Sequence, residues 1–394
     1  MDAKIYFQNR KNIQLIIQTT WACNIRCKHC YESNSNYPNM IMNQEILEKL
    51  IKLSLKQYSS VSYLWFGGEP LMAGLDFFKK VVELQNKYAT LYGKREIKNS
   101  IQTNLILLTD KMIEFFKLND FGISVSYDGI YNNILRQGTL ETENNIKKAQ
   151  KAGLRVNVLS VIHAGNYDKQ YSMYKDLQAK GLKAKFNRIF AEGNAKKFNQ
   201  YLVSNEEYIN ETKRFFLQWM EDTDARGFSN FDICFGSLYN LNFKECTFSG
   251  CMFKWIAISP NGDTYTCPRF MGTEYNFGNI LNIDNLYDLF YSEKYMNLAK
   301  KAIVRRKKCK KQCKLYFYCN GGCNAQCYFN NGVEEYKTDL CEYVKNFFPF
   351  VAKTMYEATF EDKSFNPIVK DIITNYKDRV ISVYEFMLEE GLFD

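Results

Sequence analysis

Three cysteines, Cys23, Cys27 and Cys30, are crowded into the stretch WACNIRCKHCYE, directly after a short apolar run. The spacing is Cys-x3-Cys-x2-Cys. Three thiolates can hold three irons of a four-iron cluster and leave the fourth iron without a protein ligand. An open iron can bind and reduce a second molecule, where a closed cluster only passes electrons. Three close cysteines also occur in structural zinc sites, which want four ligands. Residues 31–102 contain no cysteine or histidine. His29 lies inside the motif, squeezed between two ligand cysteines.

The cysteine excess runs through the whole chain. There are thirteen in 394 residues, an odd number that argues against complete internal pairing. The opening MDAKIYFQNRKN lacks the apolar core of a secretory signal. The run 13–17 is far too short to span a membrane. The expected location is cytoplasmic, where such cysteines read as metal ligands and not as disulfides. The formal charge of +9, from 52 basic and 43 acidic residues, is mild for this length. Basic runs at 305–308 and 310–311 flank cysteines and fit either a solvated face or contact with an acidic partner. No ordered nucleic-acid motif accompanies them, so neither nucleic acid nor membrane is an expected partner.

Up to about residue 225 the chain alternates strand-like and helix-like segments. Strands are predicted at 14–19, 62–66, 98–103, 122–126, 155–162 and 183–189. Helices are predicted at 43–55, 75–88, 110–118, 143–152 and 169–180, with another from 206 to about 221. Gly153 and Gly181 close two of them. Such alternation implies a parallel sheet with right-handed crossovers. Six repeats are too few for a closed eight-stranded barrel. The expected fold is therefore α/β, a partial (β/α)6 TIM-like barrel with chemistry at the C-terminal ends of its strands. From residue 229 the pattern changes. Residues 246–341 hold nine cysteines and many turns, as in a small cysteine-rich iron–sulfur domain stapled by metal in place of a large apolar core. Beyond it the chain turns helical again. The expected division is 1–228, 229–345 and a C-terminal helical segment at 346–394.

Further motifs follow the cysteine loop at strand ends. The second strand ends in Gly67-Gly68-Glu69-Pro70, where glycines permit close backbone approach to a ligand and proline stiffens the exit. The third runs into Gln102-Thr103-Asn104, and the fourth into Ser126-Tyr127-Asp128-Gly129, with Arg136 seven residues on. Together with the cysteine trio these resemble the radical S-adenosylmethionine (radical SAM) enzymes. The resemblance implies that Gly67, Gly68 and Glu69 receive the methionine amino group. It makes Ser126 a candidate for the ribose and Arg136 for the methionine carboxylate, which a planar guanidinium suits. Asp128 reads as a turn cap.

The later cysteines run Cys246-x4-Cys251, Cys267, then Cys309-x3-Cys313-x5-Cys319-x3-Cys323, and Cys341. This pattern resembles the SPASM domain, the C-terminal extension of many peptide-modifying radical SAM enzymes, with one spacing of x3 where x2 is usual. The resemblance implies two auxiliary four-iron clusters with crossed connectivity. Cys246, Cys251, Cys267 and Cys323 would hold the first; Cys309, Cys313, Cys319 and Cys341 would hold the second. Cys234 and Cys327 are left over. Two zinc-ribbon sites are the alternative reading of the same spacing.

The implied cofactors are S-adenosyl-L-methionine and three 4Fe-4S clusters, one of them SAM-binding. The implied activity is hydrogen-atom abstraction from a ribosomally made precursor peptide, with oxidative installation of a thioether or carbon–carbon cross-link. A low-potential donor such as flavodoxin or ferredoxin would supply electrons. The alternatives are an anaerobic sulfatase maturase making formylglycine, a peptide epimerase, and a non-catalytic iron–sulfur electron carrier. The maturases carry a catalytic aspartate directly after the cysteine matching Cys267; here Pro268 and Arg269 follow instead. Asp263, Glu192 and Arg188 are pocket candidates that read as structural, and no general base is identified.

Overall fold

The structure is a computed structural model that describes residues 11–32, 38–93, 95–241, 245–335 and 338–393. Its centre is one eight-stranded sheet. The first six strands are β1 (Asn12–Thr20), β2 (Ser60–Gly67), β3 (Glu96–Thr103), β4 (Gly122–Ser126), β5 (Val156–Ile162) and β6 (Lys183–Arg188). They are parallel and lie side by side in chain order. Helices Gln44–Gln57, Leu75–Leu91, Asp110–Leu118, Thr139–Lys151 and Gln170–Ala179 form the crossovers. This is the partial barrel expected from the alternation. Both faces of such a sheet are covered, so its strands are nearly continuously apolar. Leu15, Ile17, Val61, Trp65, Ile101 and Val125 are fully buried.

Local signals set the helix ends. Asn43 and Thr109 cap their helices through side-chain oxygens that accept from Ile46 N and Met112 N. Ser204 and Glu207 form a capping box on Asn205–Glu221. Gly153 and Gly181 take φ of 86° and 69° just past their helices. The amides of Leu154 and Leu182 then bond back to Ala149 O and Leu177 O, which closes both helices with a left-handed C-terminal turn.

The sheet does not stop at six strands. β7 (Trp255–Ile258) pairs parallel to β1, and β8 (Thr264–Tyr265) pairs antiparallel to β7. The expectation of a turn-rich, weakly cored second half therefore needs correction. Its first hairpin covers the edge of β1 that would otherwise present unpaired backbone groups. Its helix Glu293–Gln312 and the residues before it bury Ile280, Leu286, Leu289, Tyr295 and Leu298 in the same apolar core as the barrel. The C-terminal helices are Asp339–Ala358, Pro367–Asn375 and Lys377–Glu389. The first begins before the expected boundary at 346 and carries Cys341 in its first turn. Phe347 and Phe350 pack on Phe216 of the helix Asn205–Glu221. Among the described residues no helix is long and apolar enough to cross a membrane.

Candidate functional site

The cysteine loop leaves the C-terminal end of β1 and is strapped down from three directions. Gly68 N donates to Thr20 O at 2.9 Å and Glu69 N to Ala22 O at 2.8 Å, so the Gly-Gly-Glu turn runs beside the loop's entry. Lys28 N donates to Leu135 O and Arg26 N to the Gln137 side chain, tying the loop to the segment before and after Arg136. Asn194 N reaches Cys30 O at 3.0 Å, and its side chain reaches Cys27 O at 3.2 Å. Gly193 adopts φ of 52°, and a Cβ there would meet Cys30 O at 2.4 Å.

The glycines of the turn lie tight against the cysteine loop. A Cβ on Gly67 would lie 2.4 Å from Thr20 O, and one on Gly68 2.2 Å from Ala22 O. These positions require close approach, and the backbone of the cysteine loop is one neighbour that demands it. Glu69 is buried at 1 % exposure. Its carboxylate accepts from Thr103 Oγ1 (2.6 Å), Asn104 N (2.8 Å) and Leu71 N (3.0 Å). Burial pushes its pKa up to about 7, against these hydrogen bonds. The Asn104 side chain donates to Asn24 Oδ1 at 2.8 Å, so the ends of β2 and β3 and the cysteine loop form one network.

Ser126, at the end of β4, accepts from Gln102 Nε2 at 2.8 Å. Arg136 lies against Asp128, Nε to Oδ2 at 2.9 Å, with both side chains nearly or fully buried. Asp128 Oδ1 also accepts from Val161 N at 2.7 Å. Asp128 is thus the counter-ion of Arg136, which corrects its reading as a turn cap; no side-chain cap bond forms there. Burial opposes the charge of Arg136, but the Asp128 carboxylate against it leads the interactions that outweigh that cost. Burial raises the thiol pKa values of Cys23 to about 11 and Cys30 to about 12, with neighbouring cysteines of the trio adding to the shift. Nδ1 of His29 is buried without a hydrogen-bond partner, and burial lowers the ring's pKa.

The later cysteines separate into two neighbourhoods. Cys323 and Cys251 act on Cys246 and on Cys267, and Cys323 also acts on Cys251. Cys341 and Cys313 act on Cys309, while Cys313, Cys341 and Cys309 act on Cys319. Burial lifts Cys246 and Cys319 to about 12 and Cys251 to about 11, with Glu245 and then the neighbouring thiols adding at Cys246 and the neighbouring thiols adding at the other two. Among the described residues no two cysteines form a disulfide. Among the described residues no three His, Cys, Asp or Glu side chains converge tightly enough to hold one metal ion. Of the two cysteines without a partner set, Cys234 is buried in the helix Ser229–Leu238. Cys327 is 2 % exposed and neighbours both sets, through Cys323 on one side and Cys341 and Cys309 on the other.

Two side chains near these thiols, Arg269 and Tyr31, carry no role in the sequence reading. Arg269 forks onto Glu192, Nε to Oε2 at 2.9 Å and the second arm to Oε1, and its remaining nitrogen faces Cys323 Sγ at 3.6 Å. The Tyr31 phenol lies in the field of Glu32, Cys267, Cys30 and Arg269. A cavity of about 170 Å³ opens between the end of β6 and the cysteine-rich half, lined by Arg188, Phe190, Tyr208, Arg269, Cys323 and Tyr343. Asp263 accepts from Asn261 within the β7–β8 turn and from Asn279 beyond the hairpin. Glu192 carries a partner 77 residues away, which no local spacing signals.

A parallel barrel with three thiols at the mouth of β1 defines a class. Residues 17–177 match the radical SAM superfamily, and residues 246–324 match the SPASM iron–sulfur cluster-binding domain. The chain is a radical SAM enzyme with a C-terminal SPASM domain, and its cofactors are S-adenosylmethionine and 4Fe-4S clusters. It is 28 % identical over 356 residues to the serine-type anaerobic sulfatase-maturating enzyme of Bacteroides thetaiotaomicron, covering 82 % of this chain and 85 % of that one. It is also 28 % identical to the cysteine-type enzyme of Clostridium perfringens, covering 85 % of this chain and 95 % of its relative. The structure of native anSMEcpe with bound AdoMet superposes with a TM-score of 0.77 at 26 % identity, over 88 % of this chain and 98 % of that one. Streptococcus suis SuiB bound to S-adenosylmethionine shares the fold, with a TM-score of 0.61 at 18 % identity over 86 % and 80 % of the two chains.

Proposed function

We propose that this enzyme oxidises a side chain of a peptide substrate. In this reading Cys23, Cys27 and Cys30 ligate the cluster that binds S-adenosylmethionine. Cys246, Cys251, Cys267 and Cys323 ligate one auxiliary cluster, and Cys309, Cys313, Cys319 and Cys341 the other. The thiol chemistry fits: each set supplies soft donors that neighbour one another, as cluster ligation requires. The orphaned ring nitrogen of His29 and the tight Gly67–Gly68 turn lie at the mouth where the cofactor would sit. When bound, the cofactor pair supplies a 5′-deoxyadenosyl radical that takes a hydrogen atom from substrate.

The chain's own residues do the rest. Gly67, Gly68 and Glu69 shape the wall for the methionine amino group, and Glu69 locks that wall to β3. Ser126 would hold the ribose. Arg136, held against Asp128, would receive the methionine carboxylate. The cavity beside Arg269 admits one substrate side chain, being smaller than a site for a whole drug-sized ligand. The observation that carries the reading is adjacency. The N-terminal cysteine loop and the first later thiol set meet across Tyr31 and the Glu192–Arg269 pair. A cluster on the first later set would then be a neighbouring acceptor for the second electron.

The product we favour is a thioether or carbon–carbon cross-link. Pro268 carries no proton acceptor, and Arg269 beside it is engaged by Glu192. The nearly full-length similarity to sulfatase-maturating enzymes supports formylglycine formation as the second reading. Anaerobic reconstitution with S-adenosylmethionine and a strong reductant tests the class. Parent protein should release 5′-deoxyadenosine, and Cys27→Ala should release none while keeping its other clusters. Wild-type release by Cys27→Ala sinks the assignment. Peptide products separate the two readings. Loss of two hydrogens without reaction towards a hydrazide means a cross-link, and a hydrazide adduct means formylglycine.

A further inference from the structure

Arg269 touches both halves of the molecule. It sits in the turn Pro268–Phe270, two residues beyond Cys267. Two of its nitrogens grip Glu192, the third faces Cys323 Sγ at 3.6 Å, and the guanidinium lies over the Phe190 ring at 5.2 Å. Glu192 and Phe190 belong to the segment that follows β6. That segment is pinned to the N-terminal cysteine loop by Asn194 at Cys30 O and Cys27 O. The guanidinium is therefore held from three sides and is not a wandering surface charge. A lysine could not serve in the same way, because only the planar fork satisfies a carboxylate and still has an N–H left for sulfur.

We propose that Arg269 is a positioning residue that raises the reduction potential of the auxiliary cluster held by Cys246, Cys251, Cys267 and Cys323. This rests on the ligand assignment proposed above. Reduction adds negative charge to a cluster, and a cationic donor on a ligand sulfur stabilises the reduced state. The Asn324 amide, 3.6 Å from Cys251 Sγ, adds a neutral donor to the same set. The second set receives a neutral backbone donor, Thr338 N to Cys341 Sγ at 3.4 Å. The second set also feels the Arg305 charge at Cys309, but only the first has a charged donor, Arg269, placed directly on a ligand sulfur, which would make the cluster nearer the N-terminal loop the better one-electron acceptor.

The test uses full-length protein with Cys23, Cys27 and Cys30 all changed to Ala, so that only auxiliary clusters remain. Iron and sulfide analysis counts them, and redox titration followed by electron paramagnetic resonance reads their midpoints. A further Cys341→Ala change identifies the second cluster's signal. Arg269→Gln and Arg269→Met are each expected to lower the first cluster's midpoint by at least a tenfold change in equilibrium constant, about 59 mV for one electron. The second midpoint stays in place, and Arg269→Lys recovers part of the shift. Two clusters with both midpoints unchanged overturn the proposal, as does an equal fall in both. Iron for a single cluster in the parent of this series brings down the ligand assignment itself, and the proposal with it.

Discussion

Gly68 is the position where one added methyl should do the most local damage. A Cβ there would sit 2.2 Å from Ala22 O, 2.6 Å from Ala22 C and 2.7 Å from Trp21 O. All three are backbone atoms on the approach to Cys23. No flexible side chain can move aside, so the two segments must part by about an ångström. The bonds that hold them are Gly68 N to Thr20 O and Glu69 N to Ala22 O. Losing both costs about 2 kcal/mol, and overpacking adds roughly 1–3 kcal/mol. The expected destabilisation of Gly68→Ala is about 4 kcal/mol, a large share of an ordinary domain's stability. Urea unfolding of the metal-free protein, followed by tryptophan fluorescence, measures it. Gly122 is the control. A Cβ there meets only ordinary contacts at 3.8 and 3.9 Å, so Gly122→Ala should be neutral or stabilise by about 0.5 kcal/mol. After reconstitution, Gly68→Ala should lose the N-terminal cluster and keep the auxiliary ones. A Gly68→Ala protein as stable as the parent with a full iron complement would refute the steric argument.

Other consequences are open to measurement. Burial lifts Glu69 to about 7, above its ordinary 4.5, so the folded chain keeps a proton that the unfolded chain releases. The resulting stability is whole below pH 4.5 and is lost as pH rises through 7, amounting to about 3 kcal/mol. Glu69→Gln should flatten that slope in metal-free protein, and an unchanged slope would contradict it. Cys23 and Cys30, raised to about 11 and 12, are protonated at neutral pH without metal. Iron uptake must therefore release protons and should improve from pH 7 to 9; uptake indifferent to pH would count against this. Asn366 is fully buried, caps Ile368 N and Val369 N, and donates to Trp219 O. Asn366→Ala should cost about 2 kcal/mol in the same urea assay, and a midpoint equal to the parent's would deny that the cap anchors the last helices.

The six barrel strands and their crossover helices were readable because their signals are local. Alternating strand and helix periods, a cap at Asn43 and a closing glycine at Gly153 each act within a few residues. The strand Trp255–Ile258 escaped notice because four residues are too few for periodicity to speak, and its reason for existing is the edge of β1. The Gly67–Gly68 turn was legible as a place of close backbone approach, but its packing against the cysteine loop was not. Asp128 was misread because its partner Arg136 lies around a bend, beyond any turn pattern.

Covalent spacing alone dictated that Cys23, Cys27 and Cys30 share one loop, since six or fewer residues cannot separate far. It also dictated a parallel α/β half, because apolar periods of two and near 3.6 admit little else. Which thiols gather with Cys323, that a hairpin from the second half extends the sheet beside β1, and that Glu192 reaches Arg269 were decided only by the folded chain. Those contacts join residues separated by tens to hundreds of positions. Their meeting depends on how whole elements pack, a sum over the entire core that no short stretch of residues contains.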